Sequence, residues 1–258
     1  MRDLGLPLPP ARMRPLRGWR PLKRWRYVAV YRPELMLCVA RASVAGIPQR
    51  WWAVAEPDGA LYQGSRGVKA DEGRARVRDG DVEIDLEIDE VDGVEVVSGH
   101  GRSYIWTRKQ AGISARARVA IAGRTWELAG DEGFIDDSAG YHARRTEWRW
   151  SAGVGRGEEG QHVAWNLVEG VHDAPSNSER TVWVDGRPLE VGPQRFGADL
   201  AAVGGLRFDA WSERAARINR LLLRSDYRQP FGAFSGELPG GIRLSAGYGV
   251  MEWHDVLW

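Results

Sequence analysis

The chain has 258 residues, 43% hydrophobic and 28% charged, which excludes a disordered polymer and a bundle of membrane-spanning helices. Thirteen tryptophans and 32 glycines favour a twisted, turn-rich β protein, because rings pack on pleated surfaces and glycines permit tight turns. The net charge is +1, and the one cysteine, Cys38, excludes an internal disulfide or a CxxC motif, so a reducing, cytoplasmic location is expected.

Residues 1–26 carry eight basic side chains against Asp3, a local excess that leaves the rest of the chain mildly acidic. With Pro7, Pro9, Pro10, Pro15 and Pro21 stiffening it, the stretch 1–22 is expected to be an extended basic arm wrapping that body. Trp19 and Trp25 would also suit nucleic acid, but no basic stripe recurs later, so no nucleic-acid partner is expected. No long apolar run follows, which argues against a secretory signal or integral membrane association.

Strand patterns begin with Tyr27–Val44 and Arg50–Ala55. Arg74, Arg76 and Arg78 then alternate with Ala75 and Val77, and Val82, Ile84, Leu86 and Ile88 alternate with acids. A type I′ turn at Asp79-Gly80 would set Arg76 opposite Glu83 and Arg74 opposite Asp85, so the acidic row reads as cross-strand ion pairs and not as a metal site. Val94–Ser98 and Ser103–Arg108 follow. A second hairpin turning at Gly123-Arg124 would face Ile121 with Trp126 and Val119 with Leu128. Asp136–His142 is the best candidate for a short helical turn. Thr146–Gly155 and His162–Glu169 are strands, and a hairpin at Asp185-Gly186 sets Val182 across from Leu189. Gly205–Trp211, Phe231–Glu237, Ile242–Tyr248 and Met251–Trp258 complete the strands, while Arg217–Arg224 is too short and weakly capped for a helix. Roughly fifteen strands with frequent turns point to a barrel or sandwich.

Signatures for nucleotide binding, zinc proteolysis and serine hydrolysis are absent, and no metal or cofactor is expected. Polar chemistry concentrates instead in Asp136–Trp150. There Thr146, Trp148 and Trp150 share one face of a strand, and Glu147 and Arg149 share the other. Paired carboxylates at Asp136 and Asp137, next to Tyr141, His142 and Arg145, would place a general acid beside an apolar cavity, since a carboxyl packed against tryptophan has its neutral form favoured by desolvation; Asp137 is the candidate of the two. The competing reading has Asp137 capping the turn and pairing with Arg145 for stability. Asn166 and Glu169 lie on opposite faces of their strand, so one polar group must sit among apolar neighbours. At the C-terminus Glu252, His254 and Val256 share a face, an acid–base pair if that face points into a barrel.

The run Asp137-xx-Gly140-Tyr141-xxx-Arg145-xx-Trp148-x-Trp150, then Asn166 and Glu179-xxx-Trp183-x-Asp185-Gly186, resembles a bacterial family known as domain of unknown function 2804. So do Lys23-Arg24-Trp25-Arg26-Tyr27 at the start and, near the end, Pro230-Phe231-Gly232-xx-Ser235-Gly236 and Gly249-xx-Glu252. The resemblance, and the family's distant similarity to AttH-like and carotenoid-hydratase proteins, imply an all-β fold of two tandem lipocalin-like (calycin-type) antiparallel barrels, expected at residues 23–130 and 131–258. They also imply an aromatic-lined pocket for a hydrophobic, isoprenoid-like molecule. Hydration, isomerisation or cyclisation would use Asp137 and Glu252 as candidate acids. Tyr141, His142, Arg145, Trp148, Trp150, Asn166, Glu169, Glu179 and His254 would contact the ligand; of these, both histidines and Glu169 come from the residues themselves and not from the family pattern. The rival expectation is a non-catalytic lipid or isoprenoid carrier.

Overall fold

In the computed structural model the chain forms two curled antiparallel sheets, one after the other; residues 4–220 and 223–258 are described. Residues 1–3 of the expected arm and 221–222 of the Arg217–Arg224 segment lie outside them. A two-stranded hairpin, β1 (Leu16–Arg17) and β2 (Arg20–Pro21), precedes the first sheet. That sheet takes β3 (Lys23–Tyr31), β4 (Met36–Val44), β5 (Ile47–Ala55), β6 (Leu61–Gly64), β7 (Lys69–Asp71), β8 (Arg74–Asp79), β9 (Val82–Ile88), β10 (Val94–His100), β11 (Ser103–Ile121) and β12 (Arg124–Gly140). Its order is β6-β5-β4-β3-β12-β11-β9-β8-β7, with β10 on the other half of β11. The second sheet takes β13 (Arg145–Gly157), β14 (His162–Glu169), β15 (Thr181–Val184), β16 (Arg187–Glu190), β17 (Ala202–Val203), β18 (Gly205–Arg220), β19 (Leu223–Leu238) and β20 (Ile242–Leu257). Its order is β16-β15-β14-β13-β20-β19-β18-β17. No helix among the described residues is long and apolar enough to cross a membrane.

The first sheet rolls until its ends meet. Trp52 Nε1 on β5 donates to Asp79 Oδ2 on β8 at 3.0 Å, and Arg41 on β4 pairs with Asp71 on β7 at 3.4 Å. Because successive side chains on a strand point to opposite faces, each central strand feeds two cores. On β3 and β4, Val28, Val30, Leu37 and Val39 fill the inside of the first sheet, while Tyr27, Ala29, Tyr31, Met36, Cys38 and Ala40 pack between the two sheets. On β14, Val163, Trp165 and Leu167 fill the second sheet, while Ala164 and Val168 join the layer between. This double burial explains why Tyr27–Val44 reads as a nearly unbroken apolar run. Leu8 and Met13, ahead of β1, are buried against Tyr104, Trp106 and Tyr141; Tyr104 donates to Pro7 O and Tyr141 to Arg14 O, each at 2.8 Å.

Turn chemistry corrects two expected registers. Gly80 alone has positive φ at the first hairpin, as a type II′ turn requires at its first central position, so the loop is Gly80-Asp81. Arg76 therefore faces Asp85, and Arg74 faces Glu87, with the apolar face unchanged. At the second hairpin Ala122 and Gly123 both have positive φ, the type I′ pattern, so Val119 faces Trp126 and Ala117 faces Leu128. The third hairpin has Val182 across from Leu189, as expected. The helical turn expected over Asp136–His142 does not form. Residues 136–140 end β12, paired with β3 on one side and β11 on the other, and two ladders outweigh local turn preference. The described ends of Arg217–Arg224 are likewise paired strand arms.

Candidate functional site

Between the two sheets, and inside neither, lies a cavity of about 200 Å³. Its walls come from the outer faces of β3, β4, β5, β11 and β12 on one side and β13, β14, β18, β19 and β20 on the other. Trp25 on β3 and Trp148 on β13 lie nearly parallel across it, ring centroids 6.5 Å apart and planes 9° from parallel. Trp51, Trp150 and Trp258 add further ring surface.

Among the described residues, Glu252 is one of three carboxyls on the wall of this cavity. On β20 it sits opposite Trp150 of β13, and its neighbours in the same face, His254 and Val256, also reach the cavity. Thus the polar face of the C-terminal strand points between the sheets. Trp148 Nε1 donates to Glu252 Oε1 at 2.8 Å; Tyr227 Oη and Gln229 Nε2 donate to Oε2 at 2.9 and 3.1 Å. Those donors favour the carboxylate, but burial outweighs them, and with some help from Asp136 pushes the carboxyl up to about 7. His254, hydrogen-bonded through Nε2 to Ser225 Oγ at 2.7 Å and packed on Trp148 at 4.4 Å, is driven by burial down to about 3 and is neutral. His172, also on the cavity wall, is lowered to about 3 for the same reason.

A second polar group stands on the wall formed by β11 and β12. Lys109 and Asp136 are direct cross-strand partners, with Nζ 2.5 Å from Oδ1, and Glu179 Oε2 lies 3.5 Å from the same Nζ. Trp25 Nε1 also donates to Asp136 at 3.2 Å. Burial raises both carboxyls above their ordinary values. It opposes the ammonium charge too, yet Asp136 and Glu179 together hold Lys109 above its usual value.

Of the residues picked from sequence, Trp148, Trp150, Glu179, Glu252 and His254 line the cavity together. The others do not. The pleat turns Asp137 away from its neighbour Asp136, to the inner side of the first sheet. There it accepts from Arg26 at 2.8 and 2.9 Å and from Arg108 at 3.0 Å, with Glu90 paired to both arginines. The cavity's aspartate is therefore Asp136. Arg145 pairs at the surface with Asp255, not with Asp137, and Glu169 pairs with Arg149 at 3.6 Å. Tyr141 packs edge-on to Tyr104, and His142 is buried behind Trp25, 5.1 Å between centroids. Asn166 stands behind the wall: it accepts from Trp150 Nε1 at 2.7 Å and donates to Glu179 O at 2.9 Å, so it orients two cavity residues without reaching the space. Trp165 belongs to the second sheet's own core, donating to Ser151 Oγ at 3.1 Å. Sequence reasoning missed Lys109, Tyr227 and Trp51. For Lys109 the signal was a basic residue sharing a strand face with Thr107 and Ala111, uninformative until its partner strand is known.

The family described as Domain of unknown function (DUF2804) matches residues 59–258. No curated protein matches the sequence. Among solved structures, an AttH-assigned protein of Nitrosomonas europaea has a TM-score of 0.52 at 12% identity, covering 90% of this chain and 91% of that one. Kievitone hydratase of Nectria haematococca has a TM-score of 0.48 at 9% identity, covering 92% and 88%. CghA with Sch210972 has 0.49 at 8% identity, with the same coverage. The first of these likenesses establishes a shared all-β fold and nothing about chemistry.

Proposed function

Since the chain belongs to the DUF2804 family, whose description assigns no reaction, we propose from the site itself that the protein binds an apolar, unsaturated small molecule between its sheets and exchanges a proton with it through Glu252. The observation that carries this reading is a buried carboxyl on the wall of an aromatic cavity, pushed up to about 7 by that burial and so fit to act as acid and then as base near neutral pH. In hydration, the Glu252 proton goes to one carbon of a C=C bond and the π electrons form that C–H bond. The faces of Trp25 and Trp148 attract the cationic carbon left behind. Water then forms the C–O bond and returns a proton to the carboxylate. In isomerisation the cation instead loses a neighbouring C–H proton to Glu252, and the double bond moves. An isoprenoid-like substrate suits the aromatic walls.

One observation favours a second reading, a carrier: both Glu252 oxygens are already held by Trp148, Tyr227 and Gln229, as in a structural anchor. The deciding experiment is mass spectrometry of small molecules that co-purify with the protein, followed by their incubation with it in D2O. Deuterium uptake or a gain of water by the wild type, lowered at least about 100-fold in Glu252→Gln, supports proton transfer. A ligand recovered unchanged points to the carrier. Full turnover in folded Glu252→Gln overturns the catalytic assignment.

A further inference from the structure

An apolar ligand needs nothing from the Asp136–Lys109–Glu179 cluster, yet all three side chains reach the cavity. They are among the least solvated polar groups in the molecule, with side chains 13%, 4% and 3% exposed. Desolvating two carboxyls and one ammonium is costly unless each polar atom finds a partner. Asp136 is fully engaged, by Lys109, by Trp25 and at 3.5 Å by the Thr107 hydroxyl. Glu179 is not. Its main chain is held, the carbonyl accepting from Asn166 and from the Thr181 hydroxyl, but Oε2 accepts no hydrogen bond; Lys109 Nζ lies 3.5 Å away. Thr107, Asn166 and Lys109 are near enough to favour its charged form. A buried carboxylate oxygen whose ion-pair partner stands at 3.5 Å, with no shorter bond to it, has capacity for a further donor.

The kind of donor follows from Lys109, whose Nζ lies 3.5 Å from that oxygen. An ammonium ligand would bring a second desolvated cation beside it, whereas a hydroxyl can donate to Glu179 and accept from Lys109. We propose that the Asp136–Lys109–Glu179 cluster recognises a single hydroxyl at one end of an otherwise apolar ligand, with Glu179 Oε2 accepting its hydrogen bond. This rests on the ligand-binding reading of the cavity and narrows it to amphipathic alcohols. Glu252 and the cluster are then the two polar stations on one ligand, one at the reacting bond and the other at its hydroxyl end.

The test uses tryptophan fluorescence, since Trp25, Trp148 and Trp150 line the cavity. The full-length protein is titrated with 1-decanol, decyl methyl ether and decylamine. Decanol is expected to bind about tenfold more tightly than the ether, because only the alcohol has a proton to donate to the Glu179 carboxyl. In Glu179→Met, which leaves Lys109 paired with Asp136, that preference falls below about threefold while affinity for the ether holds. Equal binding of alcohol and ether by the wild type overturns the hydroxyl site and leaves the cavity reading intact. Preference for decylamine also overturns it, in favour of a cation site. Binding of none of the three overturns both. The wild-type ratio decides the matter even where the variant does not fold.

Discussion

Asp136 and Asp137 show how far one residue of parity matters. Both are carboxyls of one short polar segment, but the pleat sends one to the cavity and the other to an ion-pair cluster with Arg26, Arg108 and Glu90. Alternation was legible; which face carried the cavity was not, because β12 is buried on both faces and polarity then gives no outward direction. For the face of Glu252 and His254 the same uncertainty resolves the other way, toward the cavity. Asp137→Asn is expected to cost about 2 kcal/mol of stability, from weakened hydrogen bonds to two guanidinium groups. Ligand affinity and turnover should stay within about twofold, as expected for a residue outside the machinery. Urea denaturation paired with the fluorescence titration checks it: a large loss of ligand affinity at unchanged stability would return Asp137 to the site.

At the level of strands and hairpins, legibility depended on turn chemistry. Asp185-Gly186 was placed correctly because both central residues adopt positive φ, and Asp and Gly are residues that tolerate it. The second hairpin was misplaced by one position because its first central residue is Ala122, which gives no such signal. Gly123, at φ +75°, has open space where a side chain would go, so Gly123→Ala tests backbone strain alone. It should destabilise the β11–β12 hairpin by about 1 kcal/mol and lower Tm by about 2–4 °C, read by calorimetry. An unchanged Tm would mean that the turn accommodates a side chain at this positive φ without cost. The continuity of β11 and β12 was hidden for a different reason: the bulges near Ala111 and Ile113 break the alternation within β11, so one 19-residue strand reads as two pieces.

Across the whole molecule, the unusual titrations set the pH range of stability. Glu252 has a folded pKa near 7 against an ordinary 4.5, so the native state keeps a proton that the unfolded chain releases. Its contribution is full below about pH 4.5 and is lost as pH rises through 7. His172 and His254 are held near 3 against 6.5, so the unfolded chain takes up protons the native state refuses. Their contribution is full above about pH 6.5 and is lost as pH falls toward 3. His100, His142 and His162, also lowered, steepen the acid limb, and Asp136 and Glu179, raised, offset part of it. Stability should therefore rise from pH 4 to about pH 7 and stay nearly flat from pH 7 to 8, where the fading contribution of Glu252 is offset by the last gains from the histidines and by Lys23, lowered to about 8 by burial. Urea midpoints between pH 4 and 8 measure this, and in Glu252→Gln stability should go on rising from pH 7 to 8. A profile as flat above pH 7 in that variant as in the wild type would mean that another group titrates there. The composition foretold an all-β molecule rich in rings, but not that both sheets would be packed solid and the open space lie between them, since that depends on how the two units dock.

Cys38 sits in the layer joining the sheets, fully buried, its thiol raised to about 11 by that burial. A thiol so placed is unreactive while the halves stay closed and becomes available when they part. Its rate of alkylation is thus a clock for separation of the sheets, independent of any assay of chemistry. Ligand held between the sheets should slow that clock in proportion to its occupancy, giving a readout of binding for molecules that leave no optical trace.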